Sequence, residues 1–122
     1  LAHDLDAIRA RVTDRTRLIF LDNPNNPSGS LAEAGELRAF LASLPEHVVV
    51  ALDEAYIDFV ESEDRVDISL CLRDPRVVFL RTFSKAYGLA GLRIGFGVMH
   101  PELAGVLHRV RQPFNVNSLA QV

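Results

Sequence analysis

Apolar and polar positions alternate along this chain in blocks that predict helix and strand in turn. Leu5, Ile8 and Val12 recur at helical spacing and predict a helix over Asp4–Val12. Arg17–Leu21 (RLIFL) is a continuous apolar run, the pattern of a strand buried on both faces. Asn23–Ser30 (NPNNPSGS) is a dense cluster of turn formers and reads as loop. Leu37, Phe40, Leu41 and Leu44 mark a helix over Leu31–Leu44, stopped by Pro45. His47–Leu52 (HVVVAL) is a second strand, and Val66–Arg73 a short helix ended by Asp74-Pro75. Val77–Leu80 and Ile94–Val98 are the third and fourth strands, and Pro101 opens a last helix that runs to Val110.

Strands separated by helices imply right-handed crossovers, so the expected fold is α/β: a three-layer, mostly parallel sheet with helices on both faces. The stretch between Leu80 and Ile94 carries Gly88 and Gly91 and no amphipathic pattern. A parallel crossover needs about a dozen residues or more, usually helical, so the fourth strand is expected to run antiparallel beside the third. At 122 residues the chain is one domain at most, and the absence of an initiator Met or a signal-peptide pattern suggests an internal segment of a larger one.

Composition narrows the function. A net charge of −3 with interspersed signs leaves no footprint for nucleic acid or an anionic membrane. No apolar run approaches the roughly 20 residues of a membrane span. The lone Cys71 allows no internal disulfide and suits a reducing, cytoplasmic compartment. His3, His47, His100 and His108 have no metal-ligand spacing.

In open α/β sheets ligands bind beyond the carboxyl ends of the parallel strands. Along this chain that edge receives Asn26 after the first strand, Asp53 and Tyr56 after the second, and Thr82, Ser84 and Lys85 after the third. An antiparallel fourth strand starts at the same edge and adds Arg93. Lys85 is the only lysine of the chain. An amine, a carboxylate, neutral donors and a guanidinium thus converge on one rim.

Three motifs occupy those positions: NPNNPSG (Asn23–Gly29), DEAYIDF (Asp53–Phe59) and RTFSKAYGLAGLRIG (Arg81–Gly95). In order and spacing they resemble the motifs of class II fold-type-I aminotransferases, and among these most resemble the histidinol-phosphate aminotransferases. The resemblance covers essentially the whole chain, with Ser28 where the family has Thr. It implies part of the large, cofactor-binding domain, with an N-terminal segment and a small C-terminal domain outside 1–122. The cofactor it implies is pyridoxal 5′-phosphate, with Lys85 linked to the aldehyde and shuttling the α-proton. Asp53 would then keep the pyridine nitrogen protonated, Asn26 and Tyr56 would donate to the ring's phenolate oxygen, and Ser84 and Arg93 would hold the phosphate, with Thr82 beside it. The implied reaction is transamination of histidinol phosphate with 2-oxoglutarate in histidine biosynthesis, by a homodimer acting on small amino-acid and keto-acid substrates.

Plainer readings stand beside each of these. Asp53 can be a turn or cap residue, Tyr56 a core aromatic, Glu54 a solvated neighbour, Lys85 a surface charge and Arg93 an ion-pair partner. Gly88, Gly91, Gly95 and Gly97 read as backbone requirements, Cys71 and Met99 as core fillers, and Asn117-Ser118 as a helix cap. Aromatic aminotransferases and threonine-phosphate decarboxylases share the same fold and features. A non-catalytic cofactor-binding regulator and a cofactor-free α/β module are the readings from other classes.

Overall fold

The computed structural model describes residues 2–122. Asp4 caps the first helix, α1 (Leu5–Ala10), by accepting the Ala7 N–H at 2.8 Å. Strand β1 is Leu18–Asp22, helix α2 Ala34–Ser43, strand β2 Val49–Asp53, helix α3 Leu70–Arg73 and strand β3 Val77–Thr82. Strand β4 (Gly95–Val98) and helix α4 (Pro101–Val110) complete the order, with short 3-10 turns between. The four strands lie in chain order, β1-β2-β3 parallel and β3-β4 antiparallel. This is the expected α/β sheet with helices around it and its last strand reversed.

Helices α2 and α3 begin three or more residues later than their apolar pattern predicts, and side-chain hydrogen bonds explain both. Buried Asn23 exchanges two bonds with the backbone of Ala32: the Ala32 N–H donates to its Oδ1 at 2.8 Å, and its Nδ2 donates to the Ala32 carbonyl at 3.4 Å. That pairing holds residues 31–33 extended, so α2 begins only at Ala34. Before α3, Asp67 accepts both the N–H and the hydroxyl of Ser69, a local turn that competes with helix until Leu70. At the other end of α2, Leu44 is extended, as a residue before proline prefers.

Alternate strand residues form one core. Leu21, Val50, Leu52, Val77 and Phe79 pack with Leu37, Phe40, Leu41 and Leu44 and with Cys71, while Leu5 and Ile8 of α1 cover its margin. Ala51 and Val78 point to the opposite face and are also buried, whereas Phe20 on that face is 71% exposed. The β3–β4 pairing depends on a glycine: a Cβ at Gly95 would sit 2.6 Å from the Arg81 carbonyl oxygen, so a side chain there would push the strands apart.

Arg76 ties this core together at the end away from the site. Its guanidinium pairs with Asp74 at 2.6 Å and donates to the Leu44 carbonyl at 2.8 Å, with Pro45 and Leu41 further off. One side chain therefore bonds carbonyls at the end of α2 and just beyond it, and fixes the entry to β3. The hydrogen bond from Arg76 holds the Asp74 carboxyl below its ordinary 3.8, against the upward pull of burial. Because the folded-state value is depressed, this stabilisation is complete above 3.8 and is lost as pH falls through the folded-state value. Arg76→Met should lower the unfolding free energy of the full-length protein by about 2 kcal/mol and flatten its acid limb below that pH. Denaturant titrations at neutral and acid pH check both; an unchanged midpoint would contradict the role.

Candidate functional site

The parallel register sets β1 and β2 side by side up to Asp22↔Asp53, with Asp53 next to Leu80 of β3. The loops that leave these strands therefore begin at one rim. On β4 the register pairs Gly95 with Thr82, so the turn ahead of Gly95 delivers Arg93 to that same rim. Two adjoining clefts open there. One, of about 270 Å³, is lined by Asp22, Asn26, Asp53, Tyr56 and Lys85. The other, of about 460 Å³, is lined by Asp53, Thr82, Ser84 and Arg93 along with Gly95. Asp53 and Ala55 belong to both, so the seven residues singled out from the sequence share one continuous depression.

Asp53 ends β2 with one carboxylate oxygen accepting the Ala55 N–H at 3.0 Å. The turn role read from sequence is thus real, and it orients a carboxylate whose residue stays exposed to the cleft. Tyr56 precedes a 3-10 turn (Ile57–Phe59), its ring 5.2 Å from Lys85 Nζ, within range of a cation–π contact. Thr82 donates to the Ser84 hydroxyl at 2.9 Å and accepts the Ser84 N–H at 3.1 Å, a tight hydroxyl pair at the foot of the turn that carries Lys85.

That turn closes with the Gly88 N–H on the Lys85 carbonyl at 3.0 Å, Gly88 having a φ of +68° that favours glycine. Arg93 lies in the left-handed region too, at φ 52° and ψ 46°, and its guanidinium donates to the Ala90 carbonyl at 2.8 Å. A non-glycine residue held there is strained by about 1 kcal/mol or more, a cost typical of functional turns. Among the described residues, none of the ion pairs includes Lys85, Arg93 or Asp53. Two cations and a carboxylate at one rim are thus left for a ligand. Lys85 can supply a nucleophilic amine, Arg93 a fork for an oxyanion, and Asp53 a counter-charge for a protonated ring nitrogen.

Glu54 is not a solvated neighbour. It is 4% exposed, and its carboxylate accepts from Arg81 Nε at 2.8 Å. Burial pushes the Glu54 carboxyl up, while the hydrogen bond and charge of Arg81 pull it back. This pair joins the residue after β2 to the penultimate position of β3, and Arg81 itself lines the larger cleft. Sequence reading also passed over Asp22, whose partners are described below. The signal it offered was a carboxylate at a strand end, immediately before a loop rich in asparagine amides. Asn117 caps the last turn, accepting the Ala120 N–H at 3.1 Å, and also donates to the Leu92 carbonyl at 2.6 Å. Among the described residues no cluster of His, Cys, Asp and Glu could hold a metal ion, and no helix is long and apolar enough to cross a membrane.

Comparison with known proteins gives the arrangement a family. The chain is 56% identical over 119 residues to a histidinol-phosphate aminotransferase of Mannheimia succiniciproducens, covering 97% of this chain and 32% of that protein. It is also 56% identical over 119 residues to an aromatic amino acid aminotransferase of Rhodococcus erythropolis, covering 98% of this chain and 33% of that protein. The crystal structure of histidinol-phosphate aminotransferase from Sinorhizobium meliloti in complex with pyridoxal 5′-phosphate superposes with a TM-score of 0.91 at 37% identity, over 98% of this chain and 33% of that one. The chain thus spans about a third of the length of the curated relatives it matches. The model of the aminotransferase class I and II family matches residues 1–122, and the chain belongs to that family.

Proposed function

We propose that this chain is the central part of the large domain of a pyridoxal-phosphate-dependent aminotransferase acting in histidine biosynthesis, on histidinol phosphate with 2-oxoglutarate. The observation that carries the reading is the rim itself: Lys85, Asp53 and Arg93, all outside the ion pairs among the described residues, on two clefts that meet at Asp53. The donor set fits the cofactor group by group. Lys85 supplies the amine for the aldehyde, Asp53 the carboxylate for the pyridine nitrogen, and Asn26 and Tyr56 the donors for the ring oxygen. Ser84 and Arg93, with Thr82 behind them, supply donors for the phosphate. Bound there, the cofactor supplies an electron sink for the bond broken at the substrate's α-carbon.

The residues of the chain do the rest. The Asp53 carboxylate would hold a positive charge on the ring nitrogen, which an uncharged side chain would not stabilise. The Lys85 amine, with a Gly-rich turn behind it, is free to take and return the α-proton. Arg93 would hold the cofactor's phosphate, the end of the group remote from Lys85. The full-length protein is read as a cytoplasmic homodimer of this family; an exposed Phe114 and Leu119 on the segment after α4 support an apolar partner there.

A second reading is an aromatic aminotransferase, favoured by the equal 56% identity to both kinds of relative. Residues 1–122 carry the cofactor's contacts, and the choice of substrate rests with segments beyond them. Half-reactions of the full-length protein with histidinol phosphate and with phenylalanine separate the two readings, the first substrate being the one expected to bleach the cofactor band. Faster bleaching by phenylalanine would favour the second reading.

Three outcomes test the assignments. Lys85→Ala should abolish the visible band of the lysine-bound cofactor; a band that survives refutes the assignment. Arg93→Ala should weaken binding of the phosphorylated cofactor about 10- to 100-fold, the value of a charge-assisted contact, and leave binding of phosphate-free pyridoxal unchanged. Equal losses for both ligands would overturn the phosphate role. The 122-residue chain alone should show little or no turnover, and robust transamination by it would contradict the dependence on further segments.

A further inference from the structure

Asp22 closes β1 and is the carboxylate about which the following loop is organised. Its Oδ2 accepts the Asn26 backbone N–H at 2.9 Å. The Asn25 side-chain amide donates to both its oxygens, at 3.1 and 3.2 Å. His3 Nε2, brought in from ahead of α1, lies 2.6 Å from Oδ1. A carboxylate accepts only, so that ring nitrogen carries the proton. Burial acts to raise the Asp22 carboxyl, and the bonds from Asn26, Asn25 and His3 together outweigh it and hold it below the usual carboxylate value.

Asn26 is the other half of the observation. Among the described residues its side-chain amide has no hydrogen-bond partner, although it lines the same cleft as Asp22, Tyr56 and Lys85. Among the described residues, nothing aims that amide except the backbone that carries it. The Asp22 carboxylate is the group that grips this backbone at the Asn26 N–H.

We propose that Asp22, buttressed by His3 and Asn25, is a positioning residue that fixes the Asn26 backbone so that its side-chain amide meets the ring oxygen of the cofactor. This rests on the cofactor reading above and adds a role exerted through the Asn26 backbone. The titratable groups facing that region are Asp22 itself with His3, and Asp53, Tyr56 and Lys85 across the cleft.

The readout is the pH midpoint of the visible band of the cofactor bound to the full-length protein. A donor to the ring oxygen weakens that oxygen's hold on the proton it shares with the lysine-linked nitrogen, so losing the donor raises the midpoint. Losing a nearby negative charge does the opposite. Asn26→Ala should raise the midpoint by about one pH unit or more, the value of one hydrogen bond to a charged group. Asp22→Ala should also raise it, and in the Asn26→Ala background should raise it no further, the two changes being one event. Asp22→Asn, close to the native shape, should give the same direction with a smaller shift and serves if the alanine variant does not fold. If Asn26→Ala shifts the midpoint and the Asp22 variants lower it or leave it unchanged, Asp22 acts by charge or not at all, and the positioning role is overturned. If Asn26→Ala itself shifts nothing, the ring-oxygen role of Asn26 fails and the inference falls with it.

Discussion

Three parallel strands in register, Leu18 beside Val49 and Val50 beside Val77, bring β1 and β2 to an end side by side with β3 running two residues further, and everything at the rim is placed by that register. Slipping β2 by one residue would turn Val50 and Leu52 out of the core and Asp53 off the rim in the same step. The burial of Val50, Leu52, Val77 and Phe79 therefore fixes the position of polar residues that contribute nothing to the core. The reversed strand completes the arrangement. Because Gly95 lets β4 approach the Arg81 carbonyl, the turn ahead of it returns Arg93 to the rim that β3 left with Thr82.

At and around that rim lie polar groups that hold strand ends. Glu54 and Arg81 join the ends of β2 and β3, Asn23 clips the first loop to the entry of α2, and Asp22 gathers the loop that carries Asn26. Buried ion pairs such as Glu54–Arg81 add little net stability against an apolar alternative, but breaking one partner leaves a stranded charge. Their value here is geometric, since a site needs its groups fixed to within about half an ångström. The strain at Arg93 belongs to the same pattern: a left-handed arginine is tolerated where the surrounding turn determines it.

Much of this was readable from residue types alone. Continuous apolar runs gave the strands, the short Gly-rich link gave the reversal of β4, and the rule of strand carboxyl ends gathered Asn26, Asp53, Tyr56, Thr82, Ser84, Lys85 and Arg93 on one edge. What stayed hidden was what depends on contacts distant in sequence. Glu54 looks like any charged residue in a turn until Arg81, on the neighbouring strand, buries and pairs with it. Asp22 looks like a loop residue until His3 arrives from ahead of α1. Apolar periodicity overran the starts of α2 and α3 because it carries no information on the Asn23 and Asp67 bonds that delay them. The substrate is not legible in these residues for a related reason: the chain spans only about a third of the length of its curated relatives.

Attachment of the cofactor to Lys85 is the proposal on which the other assigned roles depend. Reduction of the cofactor-loaded full-length protein with borohydride, followed by proteolysis and mass spectrometry of the peptides, tests it without recourse to activity. The account predicts a single stable phosphopyridoxyl adduct on the peptide that contains Lys85. An adduct confined to another lysine of the protein, or none on a protein that binds the cofactor, would contradict it.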